Sequence, residues 1–247
     1  VIMERYESVQ TALVEAVDAV HVRWERIPRE VLTKIALTLR EYRFVYSTNY
    51  DLLVYWSIMS VEGVGFKDYF WGIEQSFDPT NTEIWDKEAT NVLYLHGALH
   101  LYHLPWGKTL KRRREPFVNL LDLFKIPHEE GAIPLFVSEG TSEDKLASIY
   151  RSDYLAFAHQ QFRRHYGPLV VFGHSLGGSD KHLVDAIKGW GHRHVAISMV
   201  PRPATEVVAR KHELLDRLPE AELCFFDATT HPLGDPSMKI REAEYDS

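Results

Sequence analysis

The spacing of apolar residues changes along the chain, and each change marks an element. Val9, Leu13, Ala16, Val17 and Val20 recur at helical spacing, which predicts an amphipathic helix over residues 4–22. Pro28 stands where a second helix would begin, with Val31, Ile35 and Leu39 on one face. Phe44-Val45-Tyr46 is a short apolar run of strand type, and residues 52–59 read as helix. Residues 60–90 are aromatic and contain glycine without a clear period. Residues 91–95 read as a strand and 117–124 as a short helix.

From residue 132 the pattern becomes regular. Strands are expected at 133–137, 169–172, 195–199 and 223–226, with helices over 143–165, 179–188 and 204–218 between them. Strands alternating with helices of this length imply right-handed crossovers and a mostly parallel sheet. The strands are continuous apolar runs, as strands are when helices cover both faces. The expected fold is therefore α/β and Rossmann-like. One mostly parallel sheet is expected, formed by strands ending near 47, 96, 138, 172, 199 and 226, with helices on both faces. A sheet of this kind usually opens with a strand and a glycine-rich turn. Here Val1-Ile2-Met3-Glu4 leads directly into a helical pattern, so the first βα unit is expected to be missing.

Composition narrows the class. The 247 residues are 45% hydrophobic and 26% charged, enough for one sizeable core. A net charge of −7 argues against a general nucleic-acid binder. No apolar run approaches the length of a transmembrane helix, and no secretory signal opens the chain, so no membrane partner is expected. Cys224 is the only cysteine, which excludes an internal disulfide and a cysteine-based zinc site and fits a reducing cytoplasm. His21, His128 and His212 show no ligand spacing, so no metal is expected. A homo-oligomer remains open.

In open parallel sheets, ligands bind at the carboxyl ends of the strands. Thr48, Asn49 and Asp51 follow the strand at 44–46, and His96 and Gly97 follow the strand at 91–95. Gly173, His174, Ser175, Leu176 and Gly177 follow the strand at 169–172. Glycine lets backbone approach a phosphate or ribose, amides at a helix start attract an anion, and histidine moves protons near neutral pH. Each residue also has a structural reading. Thr48-Asn49 fits a helix cap, and His96 fits a hydrogen-bonded core histidine. Gly173 to Gly177 fits a strand–helix turn capped by Ser179 or Asp180. The basic run 108–114 fits a solvated loop, and Trp56 and Trp71 fit core packing.

Three of these segments resemble, in order, motifs of the sirtuin superfamily: Thr48-Asn49-Tyr50-Asp51, Leu95-His96-Gly97 and Gly173-His174-Ser175-Leu176. Tyr94 to Leu99 and Pro134 to Ser142 look like further segments of a bacterial sirtuin-like branch, and the resemblance spans about 40–230. It implies one sirtuin-like domain over 1–247: a helical N-terminal part (1–42), a nucleotide-binding core (43–230) and a tail (231–247). It implies NAD as substrate or ligand, with hydrolysis of its nicotinamide–ribose bond. By the same resemblance His96 is the general base and Asn49 sits beside the nicotinamide ribose. Thr48, Asp51, Gly97, Gly173, His174, Ser175 and Leu176 are the implied cofactor-binding residues, their loops expected to converge on one cleft with Asn49 and His96. Bacterial relatives that degrade NAD often act in phage defence, a role the resemblance extends to this chain.

The sequence departs from that family twice. The four cysteines of the sirtuin zinc module are absent, which shifts the expectation from protein deacylation to NAD hydrolysis or sensing. The glycine-rich Gly-x-Gly-x-Ser turn is also missing. Two alternatives stay open. One is a nucleotide-sensing domain without turnover. The other is an α/β-hydrolase whose nucleophile elbow is Gly173-His174-Ser175-Leu176-Gly177, with Ser175 as nucleophile, Asp227 as acid and His231 as base.

Overall fold

A computed structural model describes residues 26–70, 74–80, 88–112, 132–137 and 140–239. The chain divides into two compact units, Val1–Val137 with Tyr150–Ala158, and Ser138–Ile149 with His159–Ser247. The predicted elements at 4–22 and 117–124, and Trp71, His21 and His128, lie outside the described residues.

In the first unit, α1 (Arg29–Leu39) starts after Pro28, whose carbonyl accepts from the amides of Val31 and Leu32. The buried face is Leu32, Ala36 and Leu39; Val31 and Ile35 are only half-buried, so the helix is turned by about one residue from the expected face. β1 (Phe44–Ser47) leads into α2 (Leu53–Ser60), then β2 (Phe66–Lys67) and β3 (Thr90–Tyr94). The three strands form a parallel sheet in the order β1-β3-β2. β3 is central, and all five of its residues are buried, as expected of a parallel strand covered on both faces. β2 reaches only Asn91, so further along β3 the amide of Tyr94 donates instead to the Tyr154 hydroxyl at 2.9 Å. Trp56, Tyr69 and Leu93 are fully buried here. Each such large apolar side chain contributes about 1.5–3 kcal/mol.

After β3 the chain reverses through Leu95-His96 into β4 (Gly97–His103). β4 pairs antiparallel with β5 (Thr109–Lys111) on one side and β6 (Ile133–Phe136) on the other. This corrects two expectations. The strand near 133–137 belongs to an antiparallel sheet, because the residues after His96 form a strand rather than a loop. The basic run begins as strand β5, in which Lys111 pairs with Asp68, while Lys108 just before it pairs with Glu74.

The helix expected over 143–165 is two helices, α3 (Ser142–Arg151) and α4 (Asp153–Arg164). The break falls at buried Ser152, whose hydroxyl accepts from the Leu155 amide as an N-cap does.

The second unit contains β7 (Leu169–Val171), α5 (Lys181–Lys188), β8 (His194–Met199), α6 (Ala204–Arg217) and β9 (Glu222–Asp227). The strands are parallel, in the order β7-β8-β9, with one helix in each crossover. Side chains alternate: Val171, Val195 and Ile197 are buried, while Val170 and Cys224 are exposed. Leu183, Val184, Ala186 and Ile187 of α5 are buried. Mixed α/β architecture with mostly parallel sheets is thus present, as three three-stranded sheets among the described residues. No described helix is long and apolar enough to cross a membrane.

Candidate functional site

In the first unit two strand ends are neighbours. The register runs from Phe44 opposite Asn91 to Ser47 opposite Tyr94. It continues past the strands, with the Leu95 amide donating to the Ser47 carbonyl at 2.8 Å and the Leu99 amide to the Tyr50 carbonyl at 2.9 Å. Thr48-Asn49-Tyr50-Asp51 therefore leaves the sheet beside Leu95-His96-Gly97. The cap reading of this segment goes to Asp51, whose carboxylate accepts from the Leu53 amide at 2.8 Å and holds the start of α2. The Thr48 and Asn49 side chains make no hydrogen bond among the described residues, and Asn49 is exposed. His96 is 4% exposed, and its carbonyl accepts from Val137 at 2.8 Å. Gly97 has a steric reason of its own. Its φ is +80°, and a Cβ there would lie 2.1 Å from the Leu135 carbonyl oxygen. The closeness of β4 and β6 thus demands glycine without reference to a ligand.

The second unit carries the other segment, after β7. The Gly173 amide donates to Ser198 Oγ at 3.0 Å. His174 Nδ1 accepts from the Leu176 amide at 2.9 Å, and Arg217 donates to the Leu176 carbonyl at 2.9 Å. His174 Nε2 faces Asp180 at 3.6 Å, and Asp180 is paired with Lys145 at 2.9 Å. Burial pushes the His174 imidazole below its ordinary value, against the opposing pull of Asp180. Ser175 is exposed, and its hydroxyl hydrogen-bonds to no described residue, whereas Leu176 is buried. His174 and Leu176 therefore shape the turn, and Ser175 and the glycines are the groups it presents.

The hydrolase arrangement is not assembled in this unit. The Asp227 carboxylate accepts from the amide and hydroxyl of Thr229. His231 Nδ1 accepts from the Leu233 amide at 3.2 Å, with the ring against Phe172 and Phe226. Neither is hydrogen-bonded to Ser175. The left-handed residues of the turn are Gly173 and Leu176, and neither is the serine that an elbow would strain.

Further polar residues stand beside these segments. His100 lies in the first unit, 1% exposed between the rings of Tyr55 and Tyr94, and burial holds it neutral well below the usual histidine range. The Tyr94 phenol is pushed up, mainly by burial. In the second unit Asp180, expected as a cap, instead takes Lys145, and the cap of α5 comes from Ser142, whose Oγ accepts from the His182 amide at 2.8 Å. Burial pushes His182 down to about 4. The alternation Leu99-His100-Leu101 is the sequence signal for β4, and it would place His100 on a polar face rather than in the core.

No curated protein matches the chain. The family model described as Domain of unknown function (DUF4917) matches residues 1–233. That match covers most of the chain, including every candidate residue named above, and the chain accordingly belongs to the DUF4917 family.

Proposed function

We propose that this protein binds NAD and cleaves its nicotinamide–ribose bond, with His96 as general base and Asn49 positioning the ribose or the attacking water. The observation that carries the reading is the parallel, register-matched pairing of β1 and β3, which sets the Asn49 and His96 segments side by side. Thr48 and Asn49 have side chains uncommitted to capping, and a buried histidine stands at the neighbouring strand end. The order of the motifs resembles that of sirtuins, and the Rossmann-like arrangement remains part of this proposal. In the step, the bond from ribose C1′ to the pyridinium nitrogen breaks, and its electron pair leaves with nicotinamide. Water adds to C1′, and His96 accepts the proton released. A polar amide and a base are the groups an oxocarbenium-like ribose calls for. Taken by itself, the turn after β7 in the second unit, with Gly173 and Ser175 exposed, is assigned a nucleotide ribose or phosphate contact.

The test is nicotinamide release measured by chromatography. His96→Ala and Asn49→Ala should each lower turnover by roughly two to four orders of magnitude, with the circular dichroism spectrum retained. His96→Asn, closer in size, separates loss of the base from loss of packing. Unchanged turnover in both His96 variants would overturn the mechanism. NAD binding by the wild type without nicotinamide release would assign a sensing role, and ester hydrolysis abolished only by Ser175→Ala would assign a hydrolase.

A further inference from the structure

The turn after β7 is held by side chains as much as by glycine. Leu176 has φ +46°, in the left-handed region that leucine rarely adopts, and it is 3% exposed. Its peptide groups are gripped on both sides. The amide donates to His174 Nδ1 at 2.9 Å, and the carbonyl accepts from Arg217 at 2.9 Å. Arg217 is itself tied to Glu213 at 2.6 Å. An imidazole nitrogen accepts only when it carries no proton, so His174 is neutral with its proton on Nε2, the nitrogen facing Asp180. Asp180 is fixed by Lys145 from α3.

We propose that neutral His174 is a positioning residue that locks the Gly173–Gly177 turn in its ligand-binding shape, and that protonation of this ring releases the turn and weakens nucleotide binding. The proposal rests on the nucleotide-binding reading given above. Protonated Nδ1 is a donor, and it would confront the Leu176 amide, also a donor. The bond that holds leucine in the left-handed region is then replaced by a repulsion. The charged and titratable groups around the ring are Asp180, Lys145 on α3, Arg210 on α6 and His182 on α5. Burial, Lys145 and Arg210 disfavour the imidazolium, and Asp180 favours it. The balance lowers the folded-state value. The lock is therefore complete above the ordinary histidine range and is lost as pH falls through the lowered value.

The test uses the full chain labelled with ¹⁵N. Nuclear magnetic resonance reads the His174 tautomer and the protection factor of the Leu176 amide, which corrects for the intrinsic pH dependence of exchange. Calorimetry with NAD reads affinity on the same samples. In the wild type the Nε2–H tautomer is expected at neutral pH, with Leu176 protection and NAD affinity both falling at least tenfold in acid. Protection of Val195 and Ile197 in β8 should hold over the same range, which separates release of the turn from unfolding. In His174→Asn the amide oxygen takes the place of Nδ1 and cannot titrate, so protection and affinity should become independent of pH. In His174→Phe both should be low at every pH. An Nδ1–H tautomer at neutral pH, unchanged Leu176 protection in His174→Phe, or an acid loss that persists in His174→Asn would overturn the lock. If protection follows the expected pattern while no variant binds NAD, the lock stands and the nucleotide reading falls.

Discussion

The turns after β3 and β7 both contain backbone in the left-handed region, and different forces keep it there. After β3 the residue is Gly97, pressed so closely against the Leu135 carbonyl that no side chain fits. After β7, Gly173 has φ +67° with open space where a Cβ would go, and Leu176 adopts φ +46° with its side chain buried. Shape holds the first turn. Hydrogen bonds from the Leu176 and Gly173 amides to His174 and Ser198, and from Arg217 to the Leu176 carbonyl, hold the second. A turn held by shape needs no titratable group to keep Gly97 in the left-handed region. A turn held through an imidazole is open to protons.

The largest effect on stability should come from Gly97→Ala. Left-handed backbone costs an alanine about 1–2 kcal/mol and the overlap with Leu135 about 1–3 more, so a loss of about 2–5 kcal/mol is expected in denaturant unfolding. Gly173→Ala carries only the backbone cost, about 1–2 kcal/mol. Equal losses in the two variants would break the distinction between a turn held by shape and one held by bonds. Next comes Arg217→Ala, which removes the donor to the Leu176 carbonyl. It should cost about 0.5–1.5 kcal/mol and lower the exchange protection of Leu176, while the Val137 amide, bonded to the His96 carbonyl, stays protected. Loss of protection at Val137 as well would show that the two turns are not held independently. The smallest effect is expected from Lys108→Ala, whose partner Glu74 is exposed, and the unfolding midpoint should not move measurably. A shift as large as that of Arg217→Ala would mean that surface pairs matter here as much as the bonds inside the turn.

Much of this architecture was legible in the chain because it rests on local pattern. The strands ending near 47, 172, 199 and 226 and the helices between the last three appear where apolar runs and helical spacing placed them. The segments with Asn49, His96 and Ser175 do follow strands. What was missed depends on distant partners. β4 contains His100, which alternation with Leu99 and Leu101 would place on a solvent face, yet it is buried, and the strand character comes from pairing with β5 and β6. β2 is two residues long, too short for any period, and exists because β3 offers it an edge. The division between α3 and α4 turns on one serine hydroxyl at position 152. The faces also differed from expectation. Apolar runs implied cover on both sides of every parallel strand, yet β3 is wholly buried while Val170 of β7 and Cys224 of β9 are exposed.

By itself the sequence determined the alternation of strands and helices, the absence of cysteine ligands and the presence of polar and glycine-rich segments after strands, because period, composition and order belong to the chain alone. Tertiary structure decided which of those residues are spent on the fold. Asp51 holds a helix start, Gly97 yields to the Leu135 carbonyl, and His174 braces Leu176, whereas the side chains of Thr48, Asn49 and Ser175 are left without hydrogen-bond partners among the described residues. The physical reason is that a hydrogen bond or a steric limit needs its partner atom within a few ångströms. The partners here are Leu53, two residues from Asp51, for the helix start and Leu135, thirty-eight residues from Gly97, for the turn. The nearer could be guessed from spacing, and only the fold brings up the farther.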